Sequence, residues 1–178
     1  MVSNDSQNSV EVQGQYQEVF NTGRQGQLLL DMGYKTLGKR EHPLEAKIAE
    51  LEADKLGQYV VEYEGFVNAW GANETLIGGL ILHRRWNTAS LFSFWVEPQF
   101  RSLGLGDKLL QLAQNLTIEM GARAIVIETS TLHNYQFYLN RGFTVTSEIE
   151  GFIDNQTYFY MIKDLGEQGF EKYSGDEV

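Results

Sequence analysis

Val96-Glu97-Pro98-Gln99-Phe100-Arg101-Ser102-Leu103-Gly104-Leu105-Gly106-Asp107-Lys108-Leu109 carries the decisive change of rhythm in this chain. The apolar, aromatic run Ala89–Glu97 stops at Pro98, which cannot donate to a sheet ladder. A turn with two glycines follows. Leu105, Leu109, Leu112, Leu116 and Met120 then recur at helical spacing until Gly121 closes the run. The segment therefore reads as strand, glycine turn, amphipathic helix. The first N–H groups of a helix have no partner within it, so those near Leu103–Gly106 can point at a phosphate with the helix dipole behind them. Gly104 and Gly106 let such an anion approach the backbone, and Arg101 adds a fixed charge beside it. A tight strand-to-helix turn with no ligand accounts for the same two glycines.

Two nucleotide-binding patterns fit this turn badly. The Walker pattern needs Gly-Lys-Ser/Thr, and here Asp107 follows the second glycine. The Rossmann pattern needs a third glycine where Leu109 stands.

Upstream of the turn the chain reads as three successive antiparallel strands. They are Tyr59–Tyr63 running on through Phe66–Trp70, then Thr75–Leu82 after the turn Gly71-Ala72-Asn73-Glu74, then Ala89–Glu97. A helix is expected over Pro43–Leu56, with Pro43 in its first turn, Leu44, Ile48, Leu51 and Leu56 on one stripe, and Gly57 as its stop. Gln27–Lys39 reads as a weaker helix, since Gly33 and Gly38 interrupt it. Downstream, Ala124–Thr129 is a short buried strand and Tyr135–Arg141 a short helix stopped by Gly142. Phe143–Glu148 and Tyr158–Lys163 are strands. The order predicts an α/β (mixed α+β) sheet with one helix-bearing crossover.

The chain has 178 residues, enough for one ordinary domain, and 42% hydrophobic residues can fill its core. Residues 1–17, rich in Ser, Asn and Gln, read as a disordered tail, and 166–178 as an acidic C-terminal tail, leaving 18–165 as the domain. The net charge of −10 is concentrated at the ends. Residues 1–20 carry three acids and no base, and 164–178 carry five acids against Lys172, so 21–163 hold only −3. No clustered basic face is evident, which argues against nucleic acid. With no cysteine there is no disulfide, thiolate metal site or cysteine nucleophile. His42, His83 and His133 are far apart in sequence, so no metal is expected. The absence of a signal-like segment and of any 18-residue apolar run points to a cytoplasmic protein with no membrane partner.

Arg101-x-x-Gly104-x-Gly106, after a strand ending Val96-Glu97-Pro98, resembles the acetyl-CoA-binding signature of the GNAT N-acetyltransferase superfamily. Asn134-Tyr135-Gln136-Phe137-Tyr138-Leu139-Asn140-Arg141-Gly142-Phe143 resembles that family's second signature, a short helix with a Phe-Tyr pair ending in Gly-Phe. Two motifs in the correct order, separated by one helix and one strand, are more specific than either alone. The likeness covers Leu76–Lys163 and is weak before Tyr59; Trp95-Val96 and Glu128-Thr129 are similar to a bacterial branch acting on small molecules.

The resemblance implies a mostly antiparallel mixed sheet, flanked by helices, whose central strands 89–97 and 124–129 splay apart around acetyl-CoA. The pantetheine arm is then expected along Phe94, Trp95 and Val96, and the pyrophosphate on Arg101, Ser102, Leu103, Gly104, Leu105 and Gly106. A backbone N–H near Val96 serves as the oxyanion donor. Tyr138 gives a proton to the departing thiolate, and Asn134 holds the arm or the helix start. Tyr138 also reads as a half-buried core tyrosine, Asn134 as a plain N-cap, Arg101 as a solvated charge and His133 as a loop residue. Many relatives carry a Glu inside the strand before the glycine turn, whereas Ala89–Val96 offers only Ser90 and Ser93 as polar groups. The candidate bases are Glu128, Glu97, Glu62 and Glu64, and a neutral amine needs none. Trp70, Trp86, Phe92, Phe94 and Trp95 read either as core or as pocket lining, with Phe92 and Phe94 on one face of their strand.

The resulting expectation is an N-acetyltransferase acting on a small-molecule amine, with homodimerisation open because relatives are often dimers. A catalytically idle CoA-binding domain and a protein N-acetyltransferase are the alternatives.

Overall fold

The computed structural model describes residues 11–38, 42–133 and 135–166. The chain runs β1 (Gln13–Asn21), β2 (Gln27–Thr36), α1 (Pro43–Leu56), β3 (Tyr63–Trp70), β4 (Leu76–Arg85), β5 (Thr88–Val96), α2 (Leu105–Glu119), β6 (Ala124–Ser130), α3 (Tyr135–Leu139), β7 (Thr144–Ile153) and β8 (Gln156–Asp164). The strands form one sheet in the order β1-β2-β3-β4-β5-β6-β8-β7. Every neighbouring pair is antiparallel except β5–β6, which α2 joins as a parallel crossover.

α2 forms where its apolar period requires, and the stripe Leu105, Leu109, Leu112 and Leu116 is buried against Leu30, Val67, Leu82 and Ile125 of the sheet. Each such leucine contributes roughly 1.5–3 kcal/mol through removal from water. Gly65 on β3 allows the close approach: a Cβ there would lie 3.0 Å from the Leu116 side chain and 3.1 Å from the Met120 sulfur. The core thus sits between α2 and one face of β2–β6. The opposite face carries polar side chains such as Asp31, Asn68 and His83 together with Leu29, Trp70 and Ile81.

Several expectations from the sequence are corrected. Gln27–Thr36 is a strand, not a helix. Leu28, Leu30 and Met32 are buried at a period of two, and Gly33 lies where a Cβ would meet Val12 at 2.8 Å. β1 begins at Gln13, inside the stretch 1–17 read as tail, and pairs with β2 from Asn21↔Gln27 to Gln13↔Tyr34. Residues 1–10 and 167–178 lie outside the described residues. β3 starts at Tyr63 rather than Tyr59. α1 has the expected bounds, with His42 Nδ1 accepting from the Leu44 N–H at 3.2 Å and Gly57 in the left-handed region. Its stripe, however, is not core: Leu44, Ile48, Leu51 and Leu56 are all exposed.

Candidate active site

The β5–β6 ladder runs from Thr88↔Ala124 to Leu91↔Ile127 and ends there, although β5 continues to Val96 and β6 to Ser130. Beyond that last pair the two strands part. β5 also carries a bulge: Leu82 pairs with Leu91 but Ile81 pairs with Ser93, leaving Phe92 as an extra residue. The bulge shifts the alternation by one. Leu91 is buried on the helix side and Phe94 packs against the core there, while Phe92 is 70% exposed. Phe92 and Phe94 therefore do not share a face, contrary to the expectation from simple alternation.

Hydrogen-bond direction shows what the gap offers. The Glu97 N–H donates to the Ile77 carbonyl of β4 at 2.8 Å. Backbone polar groups alternate along a strand, so the N–H and C=O of Val96 and Phe94 face away from β4, into the gap. Consistent with this, the Val96 carbonyl accepts from Arg101 Nε at 2.9 Å.

The glycine turn closes one end of the gap. Ser102 has φ +61° and Gly104 φ +82°, two left-handed residues that fold the chain back before α2. The first intrahelical bond runs from the Lys108 N–H to the Gly104 carbonyl at 3.1 Å. The N–H groups of Leu105, Gly106 and Asp107 accordingly have no acceptor within the helix. The small size of Gly106 also serves packing. A Cβ there would lie 3.3 Å from the Phe137 ring, so the missing side chain makes room for α3.

Together these elements enclose a cleft of about 720 Å³. Phe94, Trp95, Val96, Arg101, Ser102, Gly104, Gly106, Tyr138 and Glu128 line it. Leu103 and Leu105 do not: Leu105 is fully buried, and Leu103 packs on the core. Asn134 lies outside the described residues. Tyr138 belongs to an aromatic group, with ring centroids 5.1 Å from Phe137, 5.6 Å from Phe143 and 6.3 Å from Phe94. Burial there pushes the phenol up to about 12.

Of the four carboxylates considered as bases, only Glu128 lines the cleft. Its Oε2 accepts from the Tyr158 hydroxyl at 2.6 Å, a bond that pushes the Tyr158 phenol up to about 12. Glu62 pairs with Arg85 at 3.1 Å. Glu64 is held between Lys35 at 2.8 Å and His83 at 3.5 Å. The hydrogen bond from Lys35, helped by the charges of Lys35 and His83, lowers its pKa. Trp70 donates from Nε1 to Asp31 at 2.8 Å, and neither it nor Trp86 reaches the cleft.

Sequence reasoning missed Asp107 and Arg141, which both line the cleft and pair with each other. Each stands inside one of the two motifs, but nothing in their spacing signals that they meet. His133 also lines the cleft, with a ring nitrogen 2.8 Å from Ser130 Oγ. Among the described residues no group of three acidic or histidine side chains is placed to hold a metal ion, and no helix is long and apolar enough to cross a membrane.

Comparison with known proteins agrees with this geometry. The chain is 28% identical over 98 residues to blasticidin-S acetyltransferase from Streptomyces morookaense, covering 54% of this chain and 72% of that protein. The fold matches the crystal structure of an acetyltransferase from Bacillus cereus with a TM-score of 0.58 at 16% identity, covering 72% of this chain and 97% of that one. It also matches an aminoglycoside 6'-N-acetyltransferase complexed with coenzyme A, with a TM-score of 0.52 at 16% identity, covering 58% and 74% of the two chains. The model of the acetyltransferase (GNAT) family matches residues 32–143, which include the parted strands, the glycine turn and α3, and the chain belongs to that family of acetyl-CoA-dependent enzymes.

Proposed function

We propose that this acetyltransferase passes the acetyl group of acetyl-CoA to a primary amine on a small molecule, by direct attack in a ternary complex. The observation that carries the reading is the open β5 edge at Phe94 and Val96, set beside the free N–H groups of α2. The edge offers a strand-like partner for an amide-bearing arm, and the helix start offers an anion site. A relative named for a small molecule, blasticidin S, supports that acceptor class over a protein chain end.

Acetyl-CoA supplies an acetyl group activated as a thioester. The N–H groups of Leu105, Gly106 and Asp107, with Arg101, would hold its pyrophosphate, and Phe94 and Val96 would hold its arm. The Val96 N–H then faces the carbonyl oxygen that gains charge, a contribution of about 2.7–4 kcal/mol for one well-placed donor. As the new C–N bond forms, Glu128 accepts the proton that the amine nitrogen loses. As the C–S bond breaks and its electron pair moves to sulfur, Tyr138 O–H meets the sulfur as its acid. With its phenol at about 12, Tyr138 keeps its proton throughout the neutral range.

Calorimetric titration with acetyl-CoA and CoA, with NADH as comparison, tests the cofactor site, and thiol release with panels of amines and peptides tests the acceptor. Micromolar binding of both CoA species but not NADH, with turnover on small amines, is expected. Binding without turnover on any amine, or turnover confined to peptides, overturns the small-molecule reading.

A further inference from the structure

Leu91↔Ile127 is the last β5–β6 pair, so Phe92 and Glu128 are the first residues on either lip of the opening. One is an exposed ring and the other a carboxylate, and both line the cleft. A ring 70% exposed on a strand is costly to leave in water, yet Phe92 has one ring partner. Its centroid lies 4.8 Å from that of His83, with the rings 17° from parallel. His83 is backed in turn by a cross-strand row: Lys35 pairs with Glu64 across β2–β3, and Glu64 with His83 across β3–β4. His83 does not line the cleft whereas Phe92 does, so the imidazole backs a ring that is itself part of the cleft wall. Trp95, 46% exposed and three residues further along β5, lines the same cleft. This is a braced aromatic platform facing an anion across a gap.

We propose that the acceptor is a cationic amine carried on a flat ring, the ring lying on Phe92 beside Trp95 and the ammonium meeting Glu128. The inference rests on the acyl-transfer reading of the cleft and adds the acceptor's chemical class. A preformed platform keeps down the ordering cost of binding, and stacking on one face distinguishes a planar ring from a saturated one. A cation beside a ring and a carboxylate gains from both.

The test uses two probes of matched size, 2-phenylethylamine and 2-cyclohexylethylamine, titrated calorimetrically into the full chain saturated with CoA. The flat amine should bind roughly 2- to 10-fold tighter, the effect of one aromatic pair, although the saturated ring is the more hydrophobic. Phe92→Ala and Phe92→Leu should both erase that preference, and the exposure of this side chain means that neither threatens the fold. Glu128→Gln should weaken both amines alike. Equal binding, tighter binding of the saturated amine, binding of neither, or a preference that survives Phe92→Leu overturns the proposal while leaving acetyl transfer intact. If CoA itself does not bind, the acyl-transfer reading falls with it.

Discussion

The Arg141 guanidinium grips the Asp107 carboxylate with two parallel hydrogen bonds, Nε to Oδ1 at 2.5 Å and Nη2 to Oδ2 at 2.7 Å. The pair ties the turn after α3 to the first turn of α2, where an acidic group also complements the helix dipole. Arg141 further donates from Nη1 to the Phe137 carbonyl at 2.8 Å and covers the Phe137 ring at 3.6 Å. Asp107 is largely exposed, so the ion pair alone contributes modestly. Because truncation also uncovers the ring and frees the carbonyl, Arg141→Ala should cost about 1–2 kcal/mol. Arg141→Lys should recover little, because an ammonium cannot reproduce the fork. Thermal melts showing Lys as good as Arg would refute the two-pronged role.

Gly104 separates backbone strain from ligand access. Its φ of +82° is left-handed, and the space beside it is open, with only the Phe20 ring 3.9 Å from where an alanine methyl would stand. Gly104→Ala therefore carries the conformational penalty, about 1–2 kcal/mol, with the smallest side chain. Gly104→Val adds bulk where the pyrophosphate would approach on the proposed reading, and should abolish acetyl-CoA binding in a chain that still folds. Unchanged acetyl-CoA affinity in folded Gly104→Val, measured by calorimetry, would remove the turn from the phosphate site.

How far the sequence reveals this molecule depends on whether its signals are local. α2 and the strands around it announce themselves through period and glycine stops, which are properties of neighbours in the chain. β1 and β2 do not: β1 begins in a stretch rich in Ser, Asn and Gln, and Gly33 reads only as a weak point in a helix until Val12 and Phe66 are seen crowding it. The exposed stripe of α1 is the converse case, since amphipathic spacing records a face without naming what covers it. The Phe92 bulge is equally silent: one inserted residue reverses the faces beyond it, and only the β4 register reveals it. Glu128 is the first named of four candidate carboxylates in the sequence, and the geometry sets it apart by placing it at the point where β5 and β6 part.

That placement makes a direct kinetic contrast. On the proposed mechanism Glu128→Gln keeps the shape and removes the proton acceptor, so kcat at neutral pH should fall by about 10²-fold or more. Glu97→Gln, outside the cleft, should leave turnover near the wild-type rate. Equal losses in the two variants, with amine and acetyl-CoA saturating, would exclude Glu128 as the base.

Glu64 gives a signature in stability at acid pH. Lys35 and His83 hold its folded-state pKa below the ordinary 4.5, so it binds its proton less readily in the folded chain than in the unfolded one. Its contribution is present above the ordinary value and is lost as pH falls through the lowered one. Glu64→Gln should thus be destabilising at neutral pH, with the gap to wild type closing on acidification. A gap in urea midpoint that stays constant from neutral to acid would show that the Lys35–Glu64–His83 row contributes nothing through charge.

Tyr138 titrates at the opposite extreme. Burial raises its phenol from 10.0 to about 12, so between those values the unfolded chain loses this proton first. The stability linked to Tyr138 is complete below pH 10 and declines as pH rises towards 12, by roughly 2–3 kcal/mol for a shift of about two units. Tyr138→Phe should lessen that alkaline decline. It should not abolish it, since Tyr158 is also raised to about 12 by its bond to Glu128. The same substitution should lower kcat by about 10- to 10⁴-fold while acetyl-CoA still binds, as expected when an acid is lost from the breaking C–S bond. The two readouts separate the roles: a lessened alkaline decline with undiminished kcat would leave Tyr138 a buried ring of the Phe94–Phe137–Phe143 group and pass the acid's task to solvent.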